Sequence, residues 1–586
     1  MFKLFKYLKP YIGQVILLVF AIAVQVWGSL QLPALMAGIV NDGIVAGDMD
    51  YIWRTGFLML GYAVLSSIGA FIASLFSARV GTAFARDLRN DFFKQILSFS
   101  IGDIDKFSTA SLITRTTNDI SQVQQAVVLS LSMALRAPMT CLLAIGQAIM
   151  TAPDMTWIIA LAVGIIFFLV VVILSIVMPK FRVIQQLADR ITLLTRENLT
   201  GLRVIRAFNN EGLEQQKFNQ TNRKFAKLST TIDVIMSLQN PLTSMVFNGT
   251  MLLCIWIGIS LLSTDFAYLG NMMAFAQYAM QVVLSFLFLT MLFVMLPRAS
   301  VSAKRVNEVL HTRPQISWKA HTIGEPAATP SVEFRHVDFS YSGADEKVLH
   351  NISFLAKAGE TTAFIGSTGS GKSTLINLVP RFYEATSGEI LVNGLPIIDY
   401  AEADLMQRVG YVPQRGLLFA GTVRSNITFG APTADDARVE LAAKVSQSAE
   451  FISKLEGGYE AHIAQGGTNV SGGQRQRLSI ARAIAKDPEI YVFDDSFSAL
   501  DMRTDAKLRQ ALKPITKNAV TLIVAQRIST IRDAEQIVVL DQGKIVGKGT
   551  HLILLRDCKV YREIAKSQLS DAEFESELKR AKEEHA

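Results

Sequence analysis

The chain has 586 residues, three to four times a domain of about 150, so more than one domain is expected. Half of its residues are hydrophobic, mean hydropathy is +0.32, and 18% are charged, against ~25% in an average soluble protein. These figures exclude a disordered chain, a fibrous repeat and a disulfide scaffold, and they point towards a membrane.

Charge is unevenly spread. Residues 1–300 hold 22 Lys+Arg and 15 Asp+Glu, a net of +7, whereas residues 301–586 hold 35 of each. All seven His follow residue 300, which leaves no His-based chemistry for the first half. Cations flanking membrane spans account for the basic balance, so no nucleic-acid partner is expected. Cys141, Cys254 and Cys558 have neither metal nor redox spacing, which predicts no disulfide and a cytosolic soluble half.

The start, MFKLFKYLKPY, puts Lys3, Lys6 and Lys9 on one helical stripe and Phe2, Phe5 and Leu8 on another. This predicts an interfacial helix at residues 1–10, lying on the inner leaflet. A signal peptide fits less well, because the apolar run behind it is too long and five more follow. Six apolar runs, near 13–40, 52–78, 126–152, 155–178, 241–263 and 268–296, are each long enough to span a core of about 30 Å. The short loops between them carry Asp42, Asp48, Asp50, Asp154 and Asp265 and no cations. The long segments 79–125 and 179–240 carry most of the Arg and Lys. By the positive-inside rule these segments and both termini face the cytoplasm. Their helical pattern predicts membrane helices that continue into the cytosol and turn back near 107–119 and 206–218, where a soluble domain would dock. Plain solvated loops of that length would be uncommon.

Arg136 is the clear internal charge of the spans. Either it is functional, as intramembrane charges tend to be, or it lies near the inner interface. In the last span Met273, Gln277, Gln281 and Ser285 recur every four residues and share a face. That stripe lines a cavity or contacts a neighbouring helix. Met272, Met280, Phe286 and Phe288 around it would form either an adaptable apolar surface or ordinary lipid-facing cover.

The expected layout is a six-helix membrane domain over 1–300, a linker over 301–331, an α/β P-loop domain with a helical subdomain over 332–570, and a charged tail over 571–586, read as a solvated helix or frayed end. The sharpest motif is GSTGSGKS: Gly366, Ser367, Thr368, Gly369, Ser370, Gly371, Lys372 and Ser373, followed by Thr374. It fits G-x-x-x-x-G-K-[ST] between a strand-like run and a helix-like run, as the motif requires. Its glycines let backbone N–H groups turn around phosphate, and the helix behind it directs its dipole there. Lys372 would reach the β- and γ-phosphates and Ser373 would hold Mg²⁺. A second strand, EIYVFDD, ends in Asp494 and Asp495, which suits Mg²⁺ coordination. Between them Ser471, Gly472, Gly473 and Gln474 open a helix, a second phosphate-binding N-terminus.

GSTGSGKS, VSGGQ and YVFDD, in this order after six spans, resemble an ABC exporter half-transporter. The chain is similar to the degenerate-site subunit of a bacterial heterodimeric multidrug exporter. The resemblance implies ATP and Mg²⁺ as cofactors, Tyr341 stacking on adenine, and Gln414 contacting Mg²⁺ and the attacking water. It also implies a helical subdomain near 415–487 and a head-to-tail dimer in which each P-loop faces the other chain's signature. Two positions depart from the family's catalytic pattern: Asp495 stands where the general base is Glu, and Gln526 stands where the switch residue is His. Asp is shorter by about 1 Å, a displacement that can cost about 10²-fold in rate. Gln526 can accept or donate a hydrogen bond but cannot carry the charge of His. A smaller departure is Gln465, where many exporters have Glu.

These departures predict a site that binds ATP and hydrolyses it poorly, beside a partner half-transporter that carries Glu and His. The expected cargo is an amphipathic drug or lipid, moved out of the cytoplasmic membrane or cytoplasm. The alternatives are a homodimeric exporter or lipid flippase, in which a Glu and His would be expected, and an ATP-gated channel or regulator. Membrane part first in a fused chain, and very short outer loops, argue against an importer.

Overall fold

The structure, a computed structural model, describes residues 2–262, 268–344 and 346–583. It divides into two compact units, Met1–Leu97 with Ala110–Thr312, and Ser98–Thr109 with Arg313–Ala586.

The first unit is helical. A 3-10 helix, Phe2–Tyr11, leads into α1 (Ile12–Gly38), which ends in a π-turn at Ile39–Ile44. The three-residue spacing of the lysines suits a helix with three residues per turn. Leu4 and Tyr7 are buried against the protein, while Phe5, on the stripe expected to meet the leaflet, is exposed. Tyr7 wins the inward position because it both packs edge-on against Phe84 and donates a hydrogen bond to Asp91, 2.8 Å away. There follow α2 (Met49–Leu97), α3 (Ile101–Phe107), the π-interrupted α4 (Thr109–Thr151), α5 (Thr156–Thr200), α6 (Leu202–Ala207), α7 (Glu211–Ser237), α8 (Gln239–Leu262) and α9 (Tyr268–His311).

Among the described residues, six helical stretches are long and apolar enough to cross a membrane: Lys3–Ile44, Met49–Leu97, Thr109–Thr151, Pro153–Thr200, Glu211–Ile259 and Leu269–Leu289. The expected loop around Asp265 lies outside the described residues. The 49 residues of α2 and 45 of α5 correspond to roughly 70 Å at 1.5 Å each, more than twice a membrane core. Both long segments are therefore helical extensions rather than loops.

The first turning point falls mostly before the expected 107–119, and the second lies inside the expected 206–218. The first lies at residues 98–108, where Ser100 and Asp103 cap α3 reciprocally and Ser108 takes a φ of 62°. Residues 109–119, expected to turn, already belong to α4. The second is the bend after α6, with Asn209 at a φ of 51°, and Glu211 onward is again helix. In both places the break uses a positive φ, which Asn209 tolerates readily and Ser108 takes at some cost, and which the helical charge pattern does not reveal.

Small residues let the membrane helices approach. A Cβ on Gly69 of α2 would sit 2.9 Å from the Ala21 carbonyl of α1. Buried Leu18, Ile22, Val26, Phe275 and Val282 form the core of the unit, and Tyr278 donates to the Leu30 carbonyl at 3.0 Å. Helix α9 runs on to His311, into the expected linker. Ala299, Ala303, Val306 and Val309 recur at helical spacing and are buried, so the stretch has a face to pack.

The second unit is α/β, as expected. A four-stranded antiparallel sheet has the order β2-β1-β4-β5: β1 (Ser331–Phe339), β2 (Leu349–Lys357), β4 (Ser387–Val392) and β5 (Leu395–Pro396). The six-stranded sheet has the order β12-β11-β3-β10-β9-β6. Its strands are β3 (Thr361–Gly366), β6 (Val409–Val412), β9 (Ile490–Asp494), β10 (Val520–Val524), β11 (Gln536–Asp541) and β12 (Lys544–Gly549). Only β12 is antiparallel to its neighbour. The parallel strands are continuous apolar runs because both faces are buried. A short hairpin of β7 (Gly421–Thr422) and β8 (His462–Ile463) belongs to the helical part. The helices that matter below are α10 (Lys372–Asn377), α11 (Asp436–Val445), α12 (Gly472–Lys486), α13 (Met502–Leu512), α14 (His551–Asp557), α15 (Lys559–Gln568) and α16 (Asp571–Glu583). The expected solvated tail packs instead: Phe574 and Ala581 of α16, seven apart on one face, are buried in the core. Residues 584–586 lie outside the described residues.

Candidate active site

The site gathers at the carboxyl ends of β3, β9 and β10, which lie side by side in parallel. Ligands of open α/β sheets bind at this end because the loops there are free to converge. The first loop, residues 366–373, leaves β3 and opens α10. Gly369 and Gly371 take φ of 83° and 93°, and a Cβ on Gly371 would press 2.7 Å from Leu349. The backbone can curl back over Lys372 only with glycine at those points. The Lys372 ammonium donates to the carbonyls of Gly366 (3.0 Å) and Ser367 (2.7 Å). Burial lowers its pKa, partly offset by Asp495 and Asp494.

The second wall comes from β9. Asp494 accepts a hydrogen bond from the Ser373 hydroxyl at 2.8 Å. Asp495 follows at a φ of 46°, a strained conformation held by its N–H donating to the Val524 carbonyl. Both carboxyls are pushed above the usual range, chiefly by burial. For Asp494 the charge of Asp495 adds to that, and for Asp495 the bonds from Gln414 and Ser498 work against it. One oxygen of Asp495 accepts from Gln526 at 2.8 Å and from Gln414 at 3.2 Å. The three residues after β6, β9 and β10 thus meet at a single atom.

A cavity of about 370 Å³ is lined by Thr368, Gly369, Gly371, Lys372, Ser373 and Thr374 on one side and Gln414, Asp495 and Gln526 on the other. The Tyr341 hydroxyl shares a hydrogen bond with Thr374 at 2.9 Å, which sets its ring beside the loop. Tyr341 also meets Tyr383 edge-on at 5.2 Å. The residues present fit a nucleotide phosphate with a divalent cation. The loop is built around an anion, and a hydroxyl beside a buried carboxylate offers hard oxygen ligands whose raised pKa a cation would bring down.

Ser471, Gly472, Gly473 and Gln474 are not in this cavity. They open α12, where Ser471 and Gln474 cap each other: the Ser471 N–H donates to Gln474 Oε1 at 2.8 Å and the Gln474 N–H to Ser471 Oγ at 3.2 Å. The capping spacing was legible in the sequence. Gln465 is exposed in the turn before it.

Three residues at the site carried no motif. Gln568, at the end of α15, clamps the segment after β10: its amide donates to the Gln526 carbonyl at 2.7 Å and accepts from the Ile528 N–H at 2.8 Å. Tyr383 backs Tyr341 and donates to Asp105 of α3. Tyr411, half-buried on β6, helps stabilise the charged form of Asp494. Sequence distance hides Gln568. Only the aromatic character of the other two gave any signal.

Residues 15–286 match the family described as ABC transporter transmembrane region, and residues 349–498 match the family described as ABC transporter. An uncharacterised ABC transporter ATP-binding protein of Mycobacterium tuberculosis is 39% identical over 570 residues, covering 96% of this chain and 97% of that one. The uncharacterised YfiB of Bacillus subtilis is 35% identical over 584 residues, covering 98% and 100%. An ATP-dependent lipid A-core flippase of Pseudomonas putida is 30% identical over 577 residues, covering 94% and 93%. A solved bacterial Atm1-family ABC exporter with ATP bound shares the fold, with a TM-score of 0.79 at 24% identity, covering 96% of this chain and 99% of that one. The chain belongs to the ABC transporter family: it is an exporter half-transporter, a multi-pass membrane protein with a fused ATPase domain coupled to transport.

Proposed function

We propose that this chain is one subunit of a heterodimeric exporter and supplies its weaker ATP site. The observation that carries the reading is Asp495, shorter than Glu and with one carboxylate oxygen already accepting from Gln526 and Gln414. The two N–H donors offset part of the basicity that burial gives Asp495 and occupy the oxygen that an attacking water would need, and Gln526 supplies no charge. Nucleotide binding needs neither residue. Tyr341 stacks on the base, residues 366–374 hold the phosphates, and Ser373, Asp494 and Gln414 hold Mg²⁺, which supplies Lewis acidity there. Ser471, Gly472, Gly473 and Gln474 serve the nucleotide held by the partner chain, which carries Glu and His at the two catalytic positions.

The complex sits in the cytoplasmic membrane with both termini inside. Its cargo is an amphipathic small molecule or lipid, and the likeness to lipid A-core flippases favours lipid. A homodimeric flippase is the second reading, supported by the same relatives. The test measures ATP binding and hydrolysis by this chain purified alone, then by the pair with Glu placed at the base position of each subunit in turn. We expect binding without appreciable turnover alone. In the pair, Asp495→Glu should change little, while loss of the partner's base should abolish turnover. Substantial turnover by a stable homodimer would remove the heterodimer.

A further inference from the structure

Arg136, ambiguous in the sequence, lines a cavity of about 200 Å³ in the first unit with Thr140 of α4 and Gln281, Leu284, Ser285 and Phe288 of α9. Arg136 is exposed, and among the described residues it makes no hydrogen bond or ion pair. The side chains of Thr140 and Gln281 are likewise unpartnered there. Ser285 is satisfied by the Gln281 carbonyl at 2.7 Å. Among the described residues, the cavity is lined by no carboxylate.

Depth can be counted along three helices. At 1.5 Å per residue, Arg136 lies about 22 Å from the end of α4 at Thr151, and Gln281 about 20 Å from the start of α9 at Tyr268. Ser29, on the same cavity, lies about 22 Å from the end of its stretch at Ile44. All three sit at one level inside a core of about 30 Å, nearer the long-extension side. A bare guanidinium at that depth calls for an anion, and its planar fork matches a phosphate or carboxylate through two parallel bonds. Leu284 and Phe288, exposed beside it, offer an apolar wall.

We propose that this cavity is a cargo subsite for anionic amphiphiles, with Arg136 gripping a phosphate or carboxylate head, Gln281 and Thr140 completing its hydrogen bonds, and the tail lying along Leu284 and Phe288. The inference rests on the exporter reading and narrows its cargo. Half of the stripe expected from the sequence faces this cavity: Gln281 and Ser285 do, whereas Gln277 opens onto a separate pocket with Thr250 and Met251.

The test uses the full transporter in nanodiscs and three labelled probes: phosphatidic acid presented in the bilayer, a dodecanoate presented from solution, and a neutral diacylglycerol. Binding is read by fluorescence anisotropy. Arg136→Gln should weaken at least one acidic probe about tenfold, or about 1.4 kcal/mol, and leave the diacylglycerol unchanged. Arg136→Lys should restore part of the loss. Which acidic probe responds tells a lipid headgroup from a soluble acid. Equal losses for acidic and neutral probes, or none for either acid, overturn the subsite. If Arg136→Gln does not fold, Gln281→Leu and Arg136→Lys are read for the same acid-to-neutral ratio, and an unchanged ratio in both overturns it. ATP-driven movement of the probes into inverted vesicles separates the two readings. Arg136-dependent binding of acid without transport of any probe leaves the subsite standing and removes the reading of amphiphiles as cargo. Transport of neutral amphiphiles with acid unbound does the reverse.

Discussion

Two helix N-termini in the ATPase unit invite comparison. At α10 the loop is half-buried, and side chains from three strand ends crowd around it: Lys372, Ser373, Asp494, Gln414 and Asp495. At α12 the N-terminus is exposed and capped by its own Ser471 and Gln474. Arg475, the nearest cation, spends its guanidinium on the carbonyls of Gly467 and Val470. The same dipole logic applies to both. The first is a site in itself, whereas the second, on the reading proposed above, is one face of a site completed by another chain. ABC exporters act as dimers, which is consistent with this division.

The comparison breaks most sharply at Lys372. Lys372→Ala should weaken ATP binding to this chain on the order of a hundredfold, since charge-assisted bonds to phosphate are lost, as equilibrium binding will show. Ser471→Ala should leave that binding unchanged and cut turnover of the assembled transporter about tenfold, because it removes both a cap and a donor aimed at the partner's nucleotide. A parallel loss of ATP binding by the chain alone would erase the distinction between the two N-termini.

Smaller effects separate the catalytic wall from the rest of the unit. The folded-state pKa of Asp495 is raised, so its ionised form costs stability as pH climbs above about 3.8. Asp495→Asn should therefore raise the nucleotide-free Tm at neutral pH, by about 2–4 °C in a thermal scan. His551 behaves oppositely. Burial lowers its pKa, and its ring accepts or donates to Tyr561 at 2.7 Å. The unfolded chain then binds the extra proton first, so stability drops as pH falls below about 6.5. That drop should be no more than about 4 °C in Tm, and His551→Gln should remove it.

How much of this was legible in the sequence depended on how local the signal was. Residues 366–373, Ser471 with Gln474, and the strand ending in Asp494 are contiguous motifs whose chemistry follows from spacing. The six spans follow from hydropathy. The two turning points were legible only as windows of about a dozen residues, because a single positive φ at Ser108 or Asn209 leaves the flanking helical pattern intact. The face that the first helix turns to the protein carried no sequence signal, because Tyr7 gains a partner 84 residues away. The meeting of Gln414, Asp495 and Gln526 depends on parallel strand order, and the clamp by Gln568 on a helix 42 residues further along. No window of sequence contains either.

The segment Ser98–Thr109 belongs, by its contacts, with residues that begin more than two hundred positions later. Asp103 accepts the Gln315 N–H at 3.0 Å, and Asp105 accepts the Tyr383 hydroxyl at 3.3 Å. The ATPase is therefore a body completed by a short insert lent from the middle of the membrane half. A soluble fragment cut at Arg313 would be a mosaic with one tile missing, its Tyr383 hydroxyl open to water just behind Tyr341. Kinetics measured on such a fragment would describe an ATPase uncoupled from the piece of chain best placed to feel the base come and go.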